Sequence, residues 1–375
     1  MLISYDRPNG YESISRANNM TKIAVLNDTH FGVRNSSDTF INYHQRFFDE
    51  TLFPYLKKHN IKHIIHGGDL YDHRKYINFK VQHASRKMFL ERLHQMGITM
   101  DIIIGNHDTY YKSTNDLNSL KELLGYFTSN INIVTEPRVL DYDGLKIGMV
   151  PWINSENYSD TIRFINNCDA PWLVGHFELS GFDMMPGMKA TDGMSPEIFS
   201  RFETVLSGHY HTRSENGNIK YLGSQMEFTW ADAGDPKYFH VIDTEERTVE
   251  PVRCPITIFE KIYYDDRKMN YFEDYDISRV EGKFVKVVVV NKSDPFTFDR
   301  FIDRIQQVDH HDLKIAENFD EFLGENVEVD EEISVEDTTQ LLDSYIENTV
   351  TDLEKDRLKE LMRSVYVEAV NQEIV

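Results

Sequence analysis

The sequence predicts an α/β fold built on a mainly parallel sheet, and three observations carry that prediction. Apolar, β-branched runs alternate with helix-like stretches through the first half of the chain, the pattern of strand–helix–strand units with right-handed crossovers. Short segments rich in Asp, Asn and His follow those runs, where an open α/β sheet carries its ligand-binding residues. At 375 residues and 40% hydrophobic content, the chain is long enough for one large domain and one or two small ones.

The elements follow in order. Residues 1–20 show no hydrophobic period and no apolar core of a signal peptide, so a disordered extension is expected there. Residues 22–27 read as the first strand, about 40–59 as a helix, 62–66 as a strand, about 78–96 as a helix and 98–104 as a strand. Residues 131–150 read as short strands around an Asp143-Gly144 turn, 173–175 as a buried strand and 204–207 as another. Asn216-Gly217-Asn218 is a hairpin signal before a strand at 219–222. These elements define a main domain over 21–235.

After residue 236 the character changes. Phe284-Val285-Lys286-Val287-Val288-Val289-Val290 reads as a buried strand, followed by a helix at about 297–307 and a short strand at 312–316. Together they predict a small α+β cap domain over 236–316. Residues 317–337 hold ten acidic residues and no Lys or Arg, the composition of a solvated linker. The tail, 338–375, reads as helical. Leu358, Leu361, Met362, Val365, Tyr366 and Ala369 form one apolar stripe, preceded by a capping box at Thr351-Asp352-Leu353-Glu354. Such helices either dock on a partner or fold back onto the chain's own core.

Composition sets limits. With 40 basic and 62 acidic residues the net charge is −22, which argues against stand-alone, non-specific binding to nucleic acid through a general basic field. Contacts through local features remain open. Two isolated cysteines, Cys168 and Cys254, fit a reducing compartment and make poor metal ligands. No G-x-x-x-x-G-K-[ST] segment marks an ATPase, and no run of 18 apolar residues marks a membrane helix.

Five segments carry the chemistry: Asp28-Thr29-His30, Gly68-Asp69-Leu70-Tyr71-Asp72, Gly105-Asn106-His107-Asp108, Gly175-His176 and Gly208-His209-Tyr210-His211. Asp28, His30, Asp69, Asn106, His176, His209 and His211 suffice to hold two adjacent divalent metals. Alternate residues of an extended chain point the same way, so Asp28 with His30, and His209 with His211, each present two donors on one side. Carboxylates mixed with imidazoles suit Mn²⁺, Fe²⁺ or Zn²⁺ better than Ca²⁺. A metal pair about 3.5–4 Å apart needs a bridging ligand, for which Asp69 is the natural choice. Such a pair acidifies a water and offsets the charge that develops on a phosphate ester. His107, next to Asn106, is read as the proton donor to the leaving oxygen or a clamp on the phosphate. Asp72, one turn after Asp69, is read as holding His107 in orientation. His63, His66, His73 and His94 are left as structural or surface groups.

These segments resemble the signature of the calcineurin-like metallophosphoesterase superfamily: D-x-H, G-D-x-x-D, G-N-H-D, G-H and G-H-x-H. Within it the chain looks like the SbcD-type DNA repair nucleases, which include the recombination endonuclease subunits of T-even-type bacteriophages. Asp28-Thr29-His30-Phe31-Gly32, Val150-Pro151-Trp152, Gly175-His176-Phe177-Glu178-Leu179 and Ser207-Gly208-His209-Tyr210-His211-Thr212 extend that likeness.

The resemblance implies a sandwich of mixed sheets flanked by helices, with a cap domain and a helical tail. It implies one metal on Asp28, His30, Asp69 and His211, a second on Asp69, Asn106, His176 and His209, and a catalytic His107. The metals would be Mn²⁺, with Mg²⁺ as the alternative. The implied activity is 3′ to 5′ exonuclease and endonuclease cleavage at double-stranded DNA ends in recombination and repair. The implied partner is an SMC-like ATPase gripped by the tail through Leu358, Leu361, Met362, Val365 and Tyr366. A homodimer within a heterotetramer, in the host-cell cytoplasm, completes that picture.

One departure is Asp72, where cellular nucleases of this type tend to carry His and phosphoprotein phosphatases carry Asp. Yet the phosphatase form continues G-D-x-x-D-R-G and G-N-H-E, whereas His73, Arg74 and Asp108 stand here. The rivals are a phosphatase or small-molecule phosphodiesterase on the same fold, and a non-catalytic scaffold, which loss of ligands would signal. Arg34, Arg74, Lys75, Lys80, Lys112 and Arg213 lie near the motif loops as candidate DNA-phosphate contacts, and each is equally readable as an ordinary surface charge.

Overall fold

The computed structural model describes residues 21–127, 129–186, 188–316, 355 and 357–359. Strand β1 (Lys22–Leu26) shows why its neighbours assemble around it. Ile23 and Val25 point to one face and Ala24 and Leu26 to the other, and all four are buried, as in a strand covered on both sides. It pairs in parallel with β2 (His63–His66), which pairs with β3 (Thr99–Ile103) and then β4 (Ile131–Val134). The connecting helices span 38–58 and 79–95, each with a wide π-type turn, at Phe47–Leu52 and Arg86–Leu90. Phe48 and Phe89, one from each turn, stack at 4.8 Å in the outer core.

A second sheet lies behind the first. Here β6 (Leu145–Val150), β7 (Trp172–His176), β10 (Thr204–Gly208) and β12 (Ile219–Tyr221) run parallel. The edges, β5 (Arg138–Tyr142) and β11 (Ser214–Asn216), are antiparallel. Ile23, Val25, Ile65 and Ile103 of the first sheet pack with Ile147, Trp172, Val174 and Leu206 of the second. A polar pin crosses the same layer: Tyr142 Oη and Asn132 Nδ2 donate to Asp101, whose carboxylate also meets His63. The mainly parallel run of strands expected from the pattern is thus divided between the two mixed sheets of a sandwich, the architecture that the resemblance implies. The helix Tyr158–Asn167 and the hairpin of β8 (Asp183–Met185) and β9 (Met188–Lys189), which the sequence pattern did not announce, lie between β6 and β10 in the chain.

The boundary expected at 236 is also corrected. β13 (Tyr238–Asp243) pairs antiparallel with β1, and β14 (Thr248–Arg253) pairs with β13, so both belong to the first sheet. A pairing across more than 200 residues leaves no local signal in the sequence. The smaller α+β layer begins later, with a sheet in the order β15 (Phe259–Asp265), β16 (Phe284–Asn291), β17 (Asp312–Ala316). Its helix, Pro295–Gln306, is capped by Asp294 and buries Phe298, Phe301 and Ile305.

By contacts the chain divides into a unit of residues 1–287 and 291–315 and a second unit of 288–290 and 316–375. The site described below lies in the first. Of the tail stripe, only Leu358 is among the described residues, half-buried in a helical turn. Leu361, Met362, Val365, Tyr366, the linker 317–337 and residues 1–20 lie outside them. No described helix is long and apolar enough to cross a membrane.

Candidate metal centre

The loops after β1 and β2 are zipped to each other by their backbones. Asp28 N–H donates to Gly68 O (2.9 Å), Thr29 N–H to Asp69 O (2.8 Å) and Phe31 N–H to Leu70 O (2.9 Å). This close pairing forces left-handed backbone at Asp28 (φ 49°), His30 (φ 47°) and Asp69 (φ 55°), a conformation that L-residues rarely adopt. A Cβ on Gly105 would lie 2.1 Å from Asp69 Oδ1, so only glycine admits that carboxylate. Asp108 clamps the set. Its buried carboxylate accepts from the N–H groups of Asp69 (2.8 Å), Gly105 (2.9 Å) and Leu70 (3.1 Å).

The second sheet brings the remaining groups. His176 ends β7 and its Nδ1 contacts Gly67 O at 2.8 Å. His209 and His211 follow β10, and His209 N–H donates to the Asp28 carboxylate at 3.0 Å. The carbonyl of His211 accepts from buried Lys237 Nζ at 2.9 Å, which also meets Asp232 at 2.6 Å and Asp235 at 3.0 Å.

The seven expected ligands thus converge, and they fall into two groups around Asp69. His30 Nε2 lies 3.8 Å from Asp28 Oδ1, 3.7 Å from Asp69 Oδ2 and 3.1 Å from His211 Nε2. His176 Nε2 lies 3.2 Å from Asp69 Oδ2 and 2.9 Å from Asn106 Oδ1, which is 3.0 Å from His209 Nδ1. The donor set Asp28, His30 and His211, and the set Asp28, Asp69 and His176, each gather their ligand atoms within 4.8 Å.

Electrostatics test whether a cation fits. Burial alone would depress His30, but Asp72, Asp69 and Asp28 outweigh it and raise the ring to about 10. Burial likewise opposes, and Asp69 and Asp28 overcome, at His176, raised to about 9. The pocket thus calls for positive charge among its carboxylates. His209 and His211 are pushed down, by burial first and then by His176 and His30 respectively, so both offer neutral lone pairs. Carboxylates, an amide oxygen and neutral imidazoles converging on one point fit a divalent metal.

His107 sits at the mouth, half-buried, its N–H donating to Asp69 Oδ1 at 2.8 Å. Its Nδ1 meets the carbonyl oxygen of Asp72 at 2.5 Å. Asp72, read from the sequence as holding His107 in orientation, meets it through its carbonyl and not its carboxylate. Asp72 N–H is bonded to Phe31 O, which turns the side chain toward the first loop, and Oδ1 stands 3.1 Å from His30 Nδ1. Asp72 reaches His107 through its main chain. His107 also shares a donor set with His30 and Asp69.

His66 is a structural group, as expected. Gly68 N–H donates to its Nδ1, so Nε2–H serves Thr29 Oγ1 at 2.8 Å, and burial pushes the ring down to about 3. Among the candidate DNA contacts, Arg34 is bonded to Phe228 O and Arg74 to Thr109, so both brace loops. Lys80 pairs with Asp38, while Lys75, Lys112 and Arg213 are exposed. Sequence reasoning gave Asp108 no role, although its place beside His107 in the third segment was visible. Lys237 carried no signal, because it lies outside every motif.

These features define a metal-dependent phosphoesterase. Residues 21–213 match the calcineurin-like phosphoesterase family, and the chain belongs to it. It is 32% identical to exonuclease subunit 1 of Enterobacteria phage T4 over 353 residues, 93% of this chain and 99% of that protein. It is 20% identical to the SbcD component of the nuclease SbcCD of Escherichia coli K12 over 63% of this chain and 69% of that one. A solved archaeal phosphodiesterase aligns over 62% of this chain and 99% of its own at 14% identity, with a TM-score of 0.33, too loose to bear on the fold.

Proposed function

We propose that this chain is the nuclease subunit of a two-subunit machine, hydrolysing DNA phosphodiesters at double-stranded ends with two divalent metals. The observation that carries this reading is the pair of ligand groups sharing Asp69. Asp28, His30, Asp69 and His211 would hold one metal, and Asp69, Asn106, His176 and His209 the other. The metals we infer are Mn²⁺, with Mg²⁺ as the alternative, and bound there they would polarise the phosphate and acidify the attacking water.

The chain's own residues do the rest. His107, anchored through Nδ1 on the Asp72 carbonyl, keeps Nε2 as its remaining polar atom, and that atom passes a proton to the leaving oxygen. Asp72 braces His30 with its side chain and His107 with its main chain, a positioning role. Lys75, Lys112 and Arg213 are exposed cations near the motif loops that would meet phosphates, with Arg213 also 3.8 Å from Glu215. Two relatives named as subunits support a partner. We assign the tail stripe at Leu358, Leu361, Met362, Val365 and Tyr366 to an SMC-like ATPase, beyond an acidic tether at 317–337, with the nuclease domain as a homodimer.

End-labelled duplex DNA incubated with Mn²⁺ and the purified chain tests the reading. Cleavage by the wild type and none by Asp69→Ala is expected. His107→Ala should keep Mn²⁺ and lose at least about 100-fold in rate, the scale of a removed general acid. Hydrolysis of p-nitrophenyl phosphate but of no DNA, with or without the ATPase, would make it a phosphatase instead.

A further inference from the structure

We propose that the cavity beside His176 is a subsite for one unstacked nucleobase of the strand being cut, held by Trp152 and Tyr158. The proposal rests on the nuclease reading and specifies how the substrate is gripped. The cavity measures about 370 Å³ and is lined by Trp152, Tyr158, Phe177, Glu178 and Met194 as well as His176, so it opens directly on the ligand cluster. Its size falls at the lower end of small-ligand clefts, about 300–1,000 Å³. Trp152 stands at the border, its ring centroid 5.4 Å from that of His209 and 6.0 Å from that of His176.

Both walls are rigidly built. Trp152 N–H donates to Ile104 O (2.8 Å), and its carbonyl accepts from Asn115 Nδ2 and Asn157 Nδ2, both at 2.9 Å. Asn154 Nδ2 donates to Asn115 Oδ1 at 2.9 Å and closes that knot. Elsewhere in the lining, Met194 N–H donates to Glu178 O at 2.9 Å. The adjacent Gly193 (φ +109°) has that same oxygen 2.7 Å from where a Cβ would stand, so the wall requires glycine. Tyr221 Oη donates to Phe177 O (2.9 Å) and Tyr210 Oη to Leu179 O (3.2 Å), fixing the strand end beneath.

A rigid aromatic slot without a Lys or Arg in its lining does not suit a phosphate. It suits a flat ring with a π-face, and Tyr158 is left half exposed, at 50%, on its rim. Stacking is also a form of nucleic-acid affinity open to a chain of net charge −22, because it needs no basic field. A base must leave the duplex to enter, which costs least where it is already unpaired. The slot therefore favours frayed or mispaired ends.

The test uses Mn²⁺-loaded protein and duplexes whose 3′-terminal nucleotide is paired, mispaired, abasic or 2-aminopurine. The mispaired end should show the lowest KM and the abasic end the highest, and 2-aminopurine fluorescence should be quenched on binding. Tyr158→Ala and Trp152→Ala should raise KM for base-bearing ends by about 5- to 100-fold, with kcat changing less, and Tyr158→Ala should leave KM for the abasic end unchanged. Because Trp152 packs on His209, the exposed Tyr158 is the cleaner site, and Trp152→Phe should restore most of the Trp152→Ala loss. DNA cleavage with equal KM for abasic and base-bearing ends overturns the subsite and leaves the nuclease reading intact. No cleavage of any DNA by the wild type, with or without the ATPase, overturns both.

Discussion

The two sheets contribute to the metal centre in different ways. The first supplies both carboxylates, the amide and one imidazole, Asp28, Asp69, Asn106 and His30, from loops that hold one another: backbone to backbone between the first and second, and through Asp108 between the second and third. Its ligands at 28, 30 and 69 all occupy left-handed backbone, and of the second-sheet ligands only His209 (φ 91°) has a positive φ. The second sheet supplies imidazoles, and these lean across. His176 rests on Gly67, His209 on Asp28 and Asn106, and the His211 carbonyl on Lys237. One half is a self-supporting cradle, and the other is set against it. The difference teaches that strain at the first-sheet ligands persists because neighbouring loops over-determine it.

Removing the clamp should break that comparison most severely. Asp108→Ala leaves three buried N–H groups without their acceptor, at about 1–3 kcal/mol each, so thermal unfolding should report a loss of at least about 3 kcal/mol. Calorimetric titration should show Mn²⁺ affinity falling about 10- to 100-fold. Unchanged affinity would mean that the cradle stands without Asp108.

A smaller effect should come from the pin between the sheets. Burial alone would raise Asp101, but His63 and the hydrogen bonds from Asn132 and Tyr142 outweigh it and hold the carboxyl at about 2. A folded value below the unfolded 3.8 contributes stability that is present above about 3.8 and is lost as pH falls through 2. At about 1.4 kcal/mol per pH unit of displacement, the contribution is about 2 kcal/mol. Urea denaturation at pH 6 and pH 2.5 should show the larger part of that loss in the wild type and a flatter response in Asp101→Asn. An identical slope in both would place the acid sensitivity elsewhere.

The mildest change sharpens the second half of the comparison. Tyr221→Phe removes a hydroxyl that donates to Phe177 O and accepts from Leu179 N–H. It should cost about 1 kcal/mol by denaturation, with Mn²⁺ affinity shifted less than about tenfold. A larger fall in affinity would show that the His176 strand end needs local support as much as the first-sheet loops do.

Much of this molecule was legible in one dimension. β1, β2, β3, β7 and β10 announce themselves as apolar runs, and each ligand follows or ends its run, because a strand's local chemistry is written in consecutive residues. The charge, the donor types and their D-x-H and G-H-x-H spacing belong to the sequence alone. Tertiary structure decided which strands share a sheet, placing β13 beside β1, and which group each side chain serves. It turned the Asp72 carboxylate to His30, aimed Asp108 at three backbone N–H groups and brought Lys237 to His211. His209 meets Asp28 across 181 residues. Such bonds form only when the packed sheets bring remote backbone polar groups together, and a buried polar group takes whichever partner the fold places within reach.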